Sequence, residues 1–440
     1  MNRSCTALLL VALSFSVPSF AGPAQVVRAR RGMVVSQSAL ASEAGARALQ
    51  DGGNAVDAAV ATAFALAVTH PSAGNIGGGG FLLLRTADGQ AQAYDFREKA
   101  PAAATPTMFL DEDGDYDAER HHNQHVSVGV PGTVAGLHLA WKEQGGRLPW
   151  RRLVEPAIAL ARDGFVLSDG LAGSLKETLP QFRKYPASLA QFSKNGTPYA
   201  AGDLFKQPDL ARTLERIAER GPAGFYEGET AALIEKEMKA EGGLITAADL
   251  RAYEAKKRVP LRGTYRGYEV IGMPPVSSGG TTLLLMLNIL EGYDLRAKGA
   301  LSAANIHLTT EAMRRAYADR ARYLGDPDFN PEMPVDRLVS KDYAAGIRKT
   351  IREDKASASA PTSFEWSKES AETTHFSVVD EARNAVSVTY TLEDNFGVKI
   401  VVPGAGFLLN DEMGDFNAGP SLTNADGLVG TPPNLAAPPD

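Results

Sequence analysis

The chain has 440 residues, of which 44% are hydrophobic and 22% are charged. This composition predicts a sizeable hydrophobic core, in about two or three average domains or in one large layered α/β domain. The net charge of -7 is mild for this length and argues against nucleic acid or an anionic membrane surface as a partner.

Residues 1–21 have the pattern of a secretory signal peptide. A basic start is followed by the apolar run 7–17 and then by Ser19 and Ala21, small residues at the positions that cleavage before residue 22 requires. The run is too short for a permanent membrane span. The single cysteine, Cys5, lies inside this leader, so the mature chain would hold no thiol. We therefore expect a bacterial periplasmic or secreted protein without disulfides and without a membrane partner.

The next stretch predicts two helices followed by a glycine-rich turn. Residues 42–50 have a helical pattern, and Asn54 can cap an almost wholly apolar helix over 55–69, which predicts burial between layers. Four glycines at 77–80 then lead into a strand over 81–84. A phosphate-binding loop needs the order strand, loop, helix, with a lysine after the glycines. We therefore interpret the glycines as a close approach of backbone segments.

Two polar features follow. Arg97 comes at the end of a strand-like segment, and its guanidinium is either a solvated surface charge or a bidentate partner for a substrate carboxylate. His121, His122 and His125 cluster in a polar segment. A metal site is the weaker interpretation of this cluster, because no cysteine or matched carboxylate pair accompanies it. We expect neither a metal nor a cofactor.

The middle of the chain is mainly helical in pattern. Amphipathic helices are predicted over 151–163, 208–220, 229–240 and 248–255, a strand over 265–272, a buried helix over 281–290 and a long helix over 302–323. Ser277 or Ser278 could be proposed as a hydrolase nucleophile. The spacing differs from the G-x-S-x-G elbow, so capping of the following helix is the favoured interpretation.

A polar linker and a predicted β-hairpin come next. Residues 355–372 have no apolar period, which is typical of a solvated linker. Strand-forming runs over 374–379 and 385–391, separated by turn residues, predict the hairpin. Two further strands are predicted, over 399–402 and 406–409.

Thr373 stands between the linker and the hairpin. The simplest interpretation is that Thr373 begins an ordinary surface hairpin and has no chemical role. The other is that the bond before Thr373 is cut, which joins a nucleophilic hydroxyl and a basic α-amine in one residue. An α-amine titrates at about pH 8, so it can take the hydroxyl proton. We predict that Thr373 becomes a catalytic N-terminus.

Several segments together resemble the γ-glutamyltranspeptidase family, in family order. The matching segments are residues 54–59, 77–81, 95–98, 131–133, 274–280, 323–329, 373–377 and 409–416. The resemblance implies an α/β fold, the four-layer αββα sandwich of the N-terminal nucleophile hydrolases. It also implies a zymogen that cuts itself before Thr373 into a large subunit, residues 22–372, and a small subunit, residues 373–440, which then pair.

The resemblance also implies roles for individual residues. Thr373 is the nucleophile, and Thr391 is the hydroxyl that orients it. Arg97 pairs with the α-carboxylate of a γ-glutamyl group. Three acids hold its α-ammonium, namely Glu393, Glu412 and Asp415. Three acids around one ammonium repel one another, so we expect one of them to be partly protonated.

The implied activity is that of a hydrolase and acyltransferase acting on glutathione and related γ-glutamyl amides. Thr373 would attack the γ-carbonyl, release cysteinylglycine and hold the γ-glutamyl group as an ester, which passes to water or to an amino acid or dipeptide. Two alternatives stay open. One is an acylase of β-lactam side chains on the same fold, and the other is a non-catalytic, truncated secreted relative.

Two departures from the family pattern bear on this activity. Family members continue into a segment whose paired serines hold the α-carboxylate and whose paired glycines form the oxyanion hole, and the 440 residues stop before it. Loss of an oxyanion donor costs about a hundredfold or more in rate. If residue 440 is the true end, we expect poor folding and no turnover. The favoured interpretation is a fragmentary, C-terminally truncated sequence with an incomplete small subunit. Asp426 stands where some members carry a lid tyrosine, which leaves the balance of hydrolysis and transfer open.

Overall fold

The computed structural model describes residues 26–358, 373–417 and 419. The predicted leader, most of the predicted linker, Glu372 on the far side of the predicted cleavage bond, and Asp426 lie outside these residues. In chain order the strands are β1 (Met33–Val35), β2 (Gly79–Arg85), β3 (Ala91–Phe96), β4 (Phe165–Val166), β5 (Leu204–Phe205), β6 (Lys256–Arg258), β7 (Leu261–Tyr265), β8 (Tyr268–Gly272), β9 (Thr374–Val379) and β10 (Ala385–Thr391).

The helices are α1 (Ala39–Gln50), α2 (Ala55–Thr69), α3 (Ala118–His122), α4 (Thr133–Gln144), α5 (Trp150–Asp163), α6 (Asp169–Phe182), α7 (Pro186–Phe192), α8 (Pro208–Arg220), α9 (Ala223–Tyr226), α10 (Gly228–Glu241), α11 (Ala247–Ala252), α12 (Gly279–Leu290), α13 (Leu295–Lys298), α14 (Ala303–Tyr323), α15 (Val335–Leu338) and α16 (Lys341–Arg348). Short 3₁₀ turns cover His125–Ser127 and Glu412–Asp415. Among the described helices, none combines the length and the apolar character needed to cross a membrane.

A six-stranded antiparallel sheet forms the centre of the fold, in the order β1-β9-β10-β2-β3-β6. The predicted hairpin is confirmed, since β9 and β10 have the predicted bounds and Val378 pairs with Val386. The other edge of β10 pairs with β2, and the other edge of β9 pairs with β1. The hairpin is therefore internal to the sheet, and its interpretation as a surface hairpin is wrong.

Helices α1 and α2 cover one face of this sheet. All 15 residues of α2 are buried, as its apolar sequence predicts. Its first turn is closed by a reciprocal cap, in which the Asn54 side chain accepts from the amides of Val56 and Asp57 while the Asp57 carboxylate accepts from the Asn54 amide. Side chains alternate along the strands, so Phe376 and Val388 pack into this core.

The opposite face of the sheet borders a cleft of about 1350 Å³. Thr373, His375 and Thr389 point to this side, since each lies one position away from a residue buried in the helical core. A second hydrophobic core, built mainly by α12, α14 and α16, lies beyond the cleft, and the cleft is lined by residues from both parts. The predicted mixed α/β class is confirmed, with one helical layer and one large sheet on the near side of the cleft.

Three of the predicted strands are wrong in detail. Residues 265–272 are interrupted because Arg266 and Gly267 adopt left-handed backbone angles, φ 49° and 86°, which turn the chain between β7 and β8. Residues 399–402 and 406–409 form only a single bridge, between Val401 and Leu408. Two backbone hydrogen bonds flank this bridge, from the Val402 amide to the Phe407 carbonyl and from the Leu409 amide to the Ile400 carbonyl. The Val401 amide points away from Leu408 and donates to the Ser188 hydroxyl at 2.9 Å, so a distant side chain, not another strand, pairs with the outer edge of this segment.

Candidate active site

The register of the sheet brings Thr373 and Arg97 to the same level. One row of paired residues crosses four adjacent strands, namely Thr374, Tyr390, Gly80 and Phe96. Thr373 and Arg97 each stand one residue beyond this row, at the same end of the sheet. Three strand spacings separate their backbones, about 14 Å in total. Because an arginine side chain is long, this distance leaves room for one small molecule between the hydroxyl and the guanidinium.

The glycine run makes this arrangement possible. A methyl group on Gly77 would overlap the Leu408 carbonyl oxygen, and one on Gly78 would overlap the Thr391 carbonyl oxygen. The predicted close approach of backbone segments is therefore confirmed. It allows the segment after β10 to pack directly under the site.

Thr373 is exposed to the cleft, and its Oγ1 donates a hydrogen bond to Thr391 Oγ1 at 3.4 Å. Thr391 is buried and held at two points. Its hydroxyl accepts from the Glu393 amide at 2.9 Å, and its carbonyl accepts from Asn75 Nδ2 at 2.8 Å. Glu393 has a φ of 77°, which is uncommon for a residue other than glycine. This turn lets its amide reach back to Thr391, so the hydroxyl beside Thr373 has a fixed position.

The Arg97 guanidinium lies among carboxylates. It pairs with Glu412 and Asp415, and its Nε is 3.9 Å from Glu98. The Arg97 side chain is 18% exposed and that of Glu412 only 2%, whereas that of Asp415 is 56% exposed. Asp415 is therefore the partner that can move most readily when another carboxylate approaches the guanidinium.

Two acids of the site, Glu393 and Glu412, have raised pKa values. Burial is the main cause of the raised pKa of Glu393, and the charges of Asp411 and Glu412 raise it further. Burial also raises the pKa of Glu412, although Arg97 opposes this shift. The Oε2 atoms of both glutamates are buried and accept no hydrogen bond within the described part of the chain. A bound ammonium group would satisfy them, because it carries three donors and a positive charge.

We expect the stability of the protein to fall as the pH rises above the ordinary titration range of a glutamate. A carboxyl with a raised pKa binds more protons in the folded than in the unfolded state between its two pKa values. The free energy of unfolding therefore decreases with pH in that window. Glu393→Gln cannot lose a proton and should flatten the slope, as urea denaturation at about pH 5 and about pH 8 would measure.

The control for this prediction is Glu381→Gln, because Glu381 is exposed in the turn between β9 and β10. It should leave the slope unchanged. Equal slopes in the parent protein and in Glu393→Gln would contradict the prediction.

The structure brings the site residues predicted from the sequence to one end of the cleft. Those residues are Arg97, Thr373, Thr391, Glu393, Glu412 and Asp415. Their chemical roles stay predictions. The three histidines of the predicted cluster do not meet at one point. The rings of His121 and His122 lie 4.3 Å apart between centroids, and His122 Nδ1 is 3.7 Å from Glu393 Oε1, whereas His125 pairs with Glu237. Among the described residues no three side chains are arranged to hold a metal ion.

Two buried asparagine side chains connect the segments around the site, and they are not among the site residues predicted from the sequence. Asn410 Oδ1 accepts from the amides of Gly129 and Glu412, and its Nδ2 donates to the carbonyls of Gly77 and Gly129. Asn75 Oδ1 accepts from the Gly78 amide and the Thr133 hydroxyl. Asn75 directly follows Gly74 in the sequence, which is a local signal for a turn, whereas Asn410 lies between Leu409 and Asp411 and has no such signal.

The two serines before α12 differ in part from their prediction as helix caps. Ser278 occupies the N-cap position, but its hydroxyl accepts from Arg320 Nε at 3.0 Å and makes no capping hydrogen bond to the helix. Ser277 Oγ accepts from the Gly279 amide at 3.2 Å.

Comparison with known proteins adds independent observations. The sequence matches the model of the family described as Gamma-glutamyltranspeptidase over residues 41–439. The Glutathione hydrolase proenzyme of Escherichia coli (strain K12) is 49% identical over 419 residues, which cover 94% of this chain and 71% of that protein. The structure of Helicobacter pylori gamma-glutamyltranspeptidase is 48% identical, has a TM-score of 0.74, and covers 76% of this chain and 95% of its own.

A cephalosporin acylase from Bacillus halodurans is also similar, at 28% identity with a TM-score of 0.80 over 97% of this chain and 77% of that one. These two structural similarities confirm the predicted fold class. The family match covers nearly the whole described part, including β2, the end of β3, β9 and β10, which carry or flank the site. The chain therefore belongs to the γ-glutamyltranspeptidase family.

Proposed function

We propose that the protein hydrolyses glutathione and related γ-glutamyl amides and transfers the γ-glutamyl group, after a cut before Thr373. One observation carries this proposal. The Thr373 hydroxyl and the Arg97 guanidinium lie at one level of the sheet, with buried acids beside the guanidinium. A γ-glutamyl group fits this arrangement. Its α-carboxylate and α-ammonium can bind at the guanidinium and the acids, and its γ-carbonyl, a short distance away, can reach the Thr373 hydroxyl.

The first step makes the catalytic N-terminus. The Thr373 hydroxyl adds to the carbonyl carbon of the preceding peptide bond, and the C–N bond breaks as the hydroxyl proton passes to the nitrogen, which frees the α-amine of Thr373. Water then hydrolyses the resulting ester and restores the hydroxyl. The chain then consists of a large subunit, residues 22–372, and a small subunit that begins at Thr373. The word proenzyme in the name of the Escherichia coli relative supports this step.

The second step uses the new amine. It takes the proton of Thr373 Oγ1, and the oxygen attacks the γ-carbonyl of the substrate. The Thr391 hydroxyl, held by the Glu393 amide, then donates to the attacking oxygen. The amine returns the proton to the leaving nitrogen of cysteinylglycine. Water or an amino acid or dipeptide acceptor next attacks the ester and releases the γ-glutamyl group.

Binding follows from the charges of the site. Arg97 holds the α-carboxylate, and the α-ammonium lies among Glu393, Glu412 and Asp415. The buried Oε2 atoms of the two glutamates, which accept no hydrogen bond from the residues that the structure describes, support this assignment. The substrates are small molecules, and the proposed steps use only protein side chains and the α-amine of Thr373, with no metal or cofactor. The signal-peptide pattern supports export to the periplasm or the medium.

A β-lactam side-chain acylase is the second candidate, and the TM-score of 0.80 with the Bacillus halodurans acylase favours it. The two functions differ in the α-amino group, which a glutaryl side chain lacks. The test compares hydrolysis of glutathione with that of glutaryl-cysteinylglycine by the full gene product. We expect glutathione to react about a hundredfold or more faster, because the analogue leaves buried acids without their cation. Faster cleavage of the glutaryl amide would overturn the proposed function.

A further inference from the structure

An ion-pair network joins the two sides of the cleft close to Arg97. Arg258, on β6, donates from Nη1 and Nη2 to the two carboxylate oxygens of Asp328, at 2.6 and 2.9 Å. Lys256 on the same strand pairs with Asp328 as well. Asp328 lies in the segment after α14, a helix that contributes to the second hydrophobic core. The network therefore connects the edge of the central sheet with the structure beyond the cleft.

The same guanidinium also reaches toward the candidate site. Arg258 Nε donates to Asp95 Oδ2 at 3.1 Å. Asp95 is buried, and its other oxygen, Oδ1, accepts from the backbone amide of Arg97 at 3.1 Å. Each nitrogen of the Arg258 guanidinium thus donates to a protein carboxylate, and one of these carboxylates holds the backbone of Arg97.

The backbone of Arg97 depends on such side chains because β3 ends one residue earlier, at Phe96. The Asp95 carboxylate accepts a hydrogen bond from the Arg97 amide, and the Tyr253 hydroxyl donates one to the Arg97 carbonyl at 2.8 Å. Both peptide groups that flank the Arg97 side chain are therefore fixed by side chains. A change in either contact would turn the guanidinium relative to Thr373.

The charge of Asp95 matters to this arrangement. Burial raises the pKa of Asp95, and Arg258 opposes that shift. Without Arg258 the buried carboxylate would face the Arg97 amide alone, and it would protonate or rotate to another partner. Either response weakens its hold on the amide, because an ionised carboxylate is the stronger acceptor.

We propose that Arg258 is a positioning residue, which fixes the backbone of Arg97 through Asp95 and links it through Asp328 to the far side of the cleft. This inference rests on the proposed function, since Arg97 is taken to bind the α-carboxylate of the γ-glutamyl group. It also gives a role to Asp328, in the segment 323–329, and to β6, neither of which takes part in the proposed chemistry.

The test measures self-cleavage, kcat and KM for glutathione with the full gene product and its Arg258→Gln variant. We expect complete self-cleavage, a KM raised about tenfold or more, and a kcat that changes by less than about threefold. Arg258→Lys, which can hold one carboxylate but not both, should lie between the parent and Arg258→Gln. The control is Arg262→Gln, since Arg262 forms an exposed ion pair with Glu269 on the β7–β8 ribbon, and it should match the parent.

Repeating the substitution in an Arg97→Lys background distinguishes a positioning role through Arg97 from a merely structural role of Arg258. If Arg258 acts through Arg97, Arg258→Gln should raise KM there by much less than in the parent. A KM unchanged by Arg258→Gln, or an equal rise in both backgrounds, would overturn the inference.

Two further outcomes need their own experiments, namely a variant that does not fold and a parent protein that does not hydrolyse glutathione. Should Arg258→Gln fail to fold, Asp328→Asn keeps the contact between Arg258 and Asp95 and should raise KM by a smaller factor; no rise would count against the inference. If the parent itself does not hydrolyse glutathione, the proposed function fails. Calorimetric titration of the parent and of Arg258→Gln with glutamate then tests the positioning role alone, and equal affinities would overturn it.

Discussion

Replacement of Thr373 by alanine is expected to give a single uncut chain that releases no measurable cysteinylglycine from glutathione. The same hydroxyl serves in self-cleavage and in turnover, so its loss removes both. Thr391 is only 3.4 Å from Thr373 Oγ1, but its hydroxyl is held by the Glu393 amide and it carries no α-amine that could take its proton. We expect kcat/KM to fall by at least about 10⁴-fold, as for other nucleophiles removed by mutation.

A denaturing gel and a glutamate assay measure the two effects separately. Thr373→Ser keeps a hydroxyl and an amine and should still cut itself and turn over. The matched control is Thr389→Ala, because Thr389 faces the same cleft from β10 but contacts His375 instead of Thr373. Two fragments from the Thr373→Ala protein, or persistent release of glutamate, would rule out the nucleophile assigned here.

Replacement of Arg97 by glutamine should raise the KM for glutathione by about a hundredfold or more while self-cleavage continues. Arg97 is the cation that contacts both Glu412 and Asp415. Without Arg97 the α-carboxylate of the substrate would lie beside a group of acids. The loss of binding free energy is therefore larger than for the removal of one neutral hydrogen bond. Arg97→Lys should be intermediate, because a lysine keeps the charge but cannot form the bidentate pair.

A substrate analogue gives the decisive measurement. If the α-carboxylate of the γ-glutamyl group is replaced by hydrogen, the parent protein and the Arg97→Gln variant should hydrolyse the analogue equally slowly. Arg85→Gln is the control, because Arg85 is exposed at the far end of β2. An Arg97→Gln variant with the KM of the parent would show that the carboxylate is bound elsewhere.

The elements that the sequence predicted best are those with local signals. The bounds of α2 follow from the reciprocal cap at Asn54 and from His70-Pro71, which ends the helix. The bounds of β9 and β10 follow from β-branched and aromatic runs separated by turn residues. In each case the deciding interactions lie within a few residues along the chain.

The errors and omissions have non-local causes. The Val401 amide donates to the hydroxyl of Ser188, which is 213 residues away, so no local pattern could show that a side chain pairs with the outer edge of this segment. Asn75 and Asn410 resemble ordinary turn residues until their buried partners are known. Local residue patterns pointed to Thr373 and Arg97, and the family resemblance supplied Thr391, Glu393, Glu412 and Asp415. That Thr373 and Arg97 lie at one level depends on the register of four strands, which no local pattern shows.

The carboxylate pairs of Arg97 have a consequence for which molecules the cleft admits. An incoming α-carboxylate that displaces the exposed Asp415 would take its place on the Arg97 guanidinium, and the α-ammonium of the same molecule can then pair with Asp415. After this exchange every charge involved has a partner of opposite sign. A simple anion or a simple cation cannot complete it, so the site should select zwitterionic amino acid ends over ligands that carry only one of the two charges.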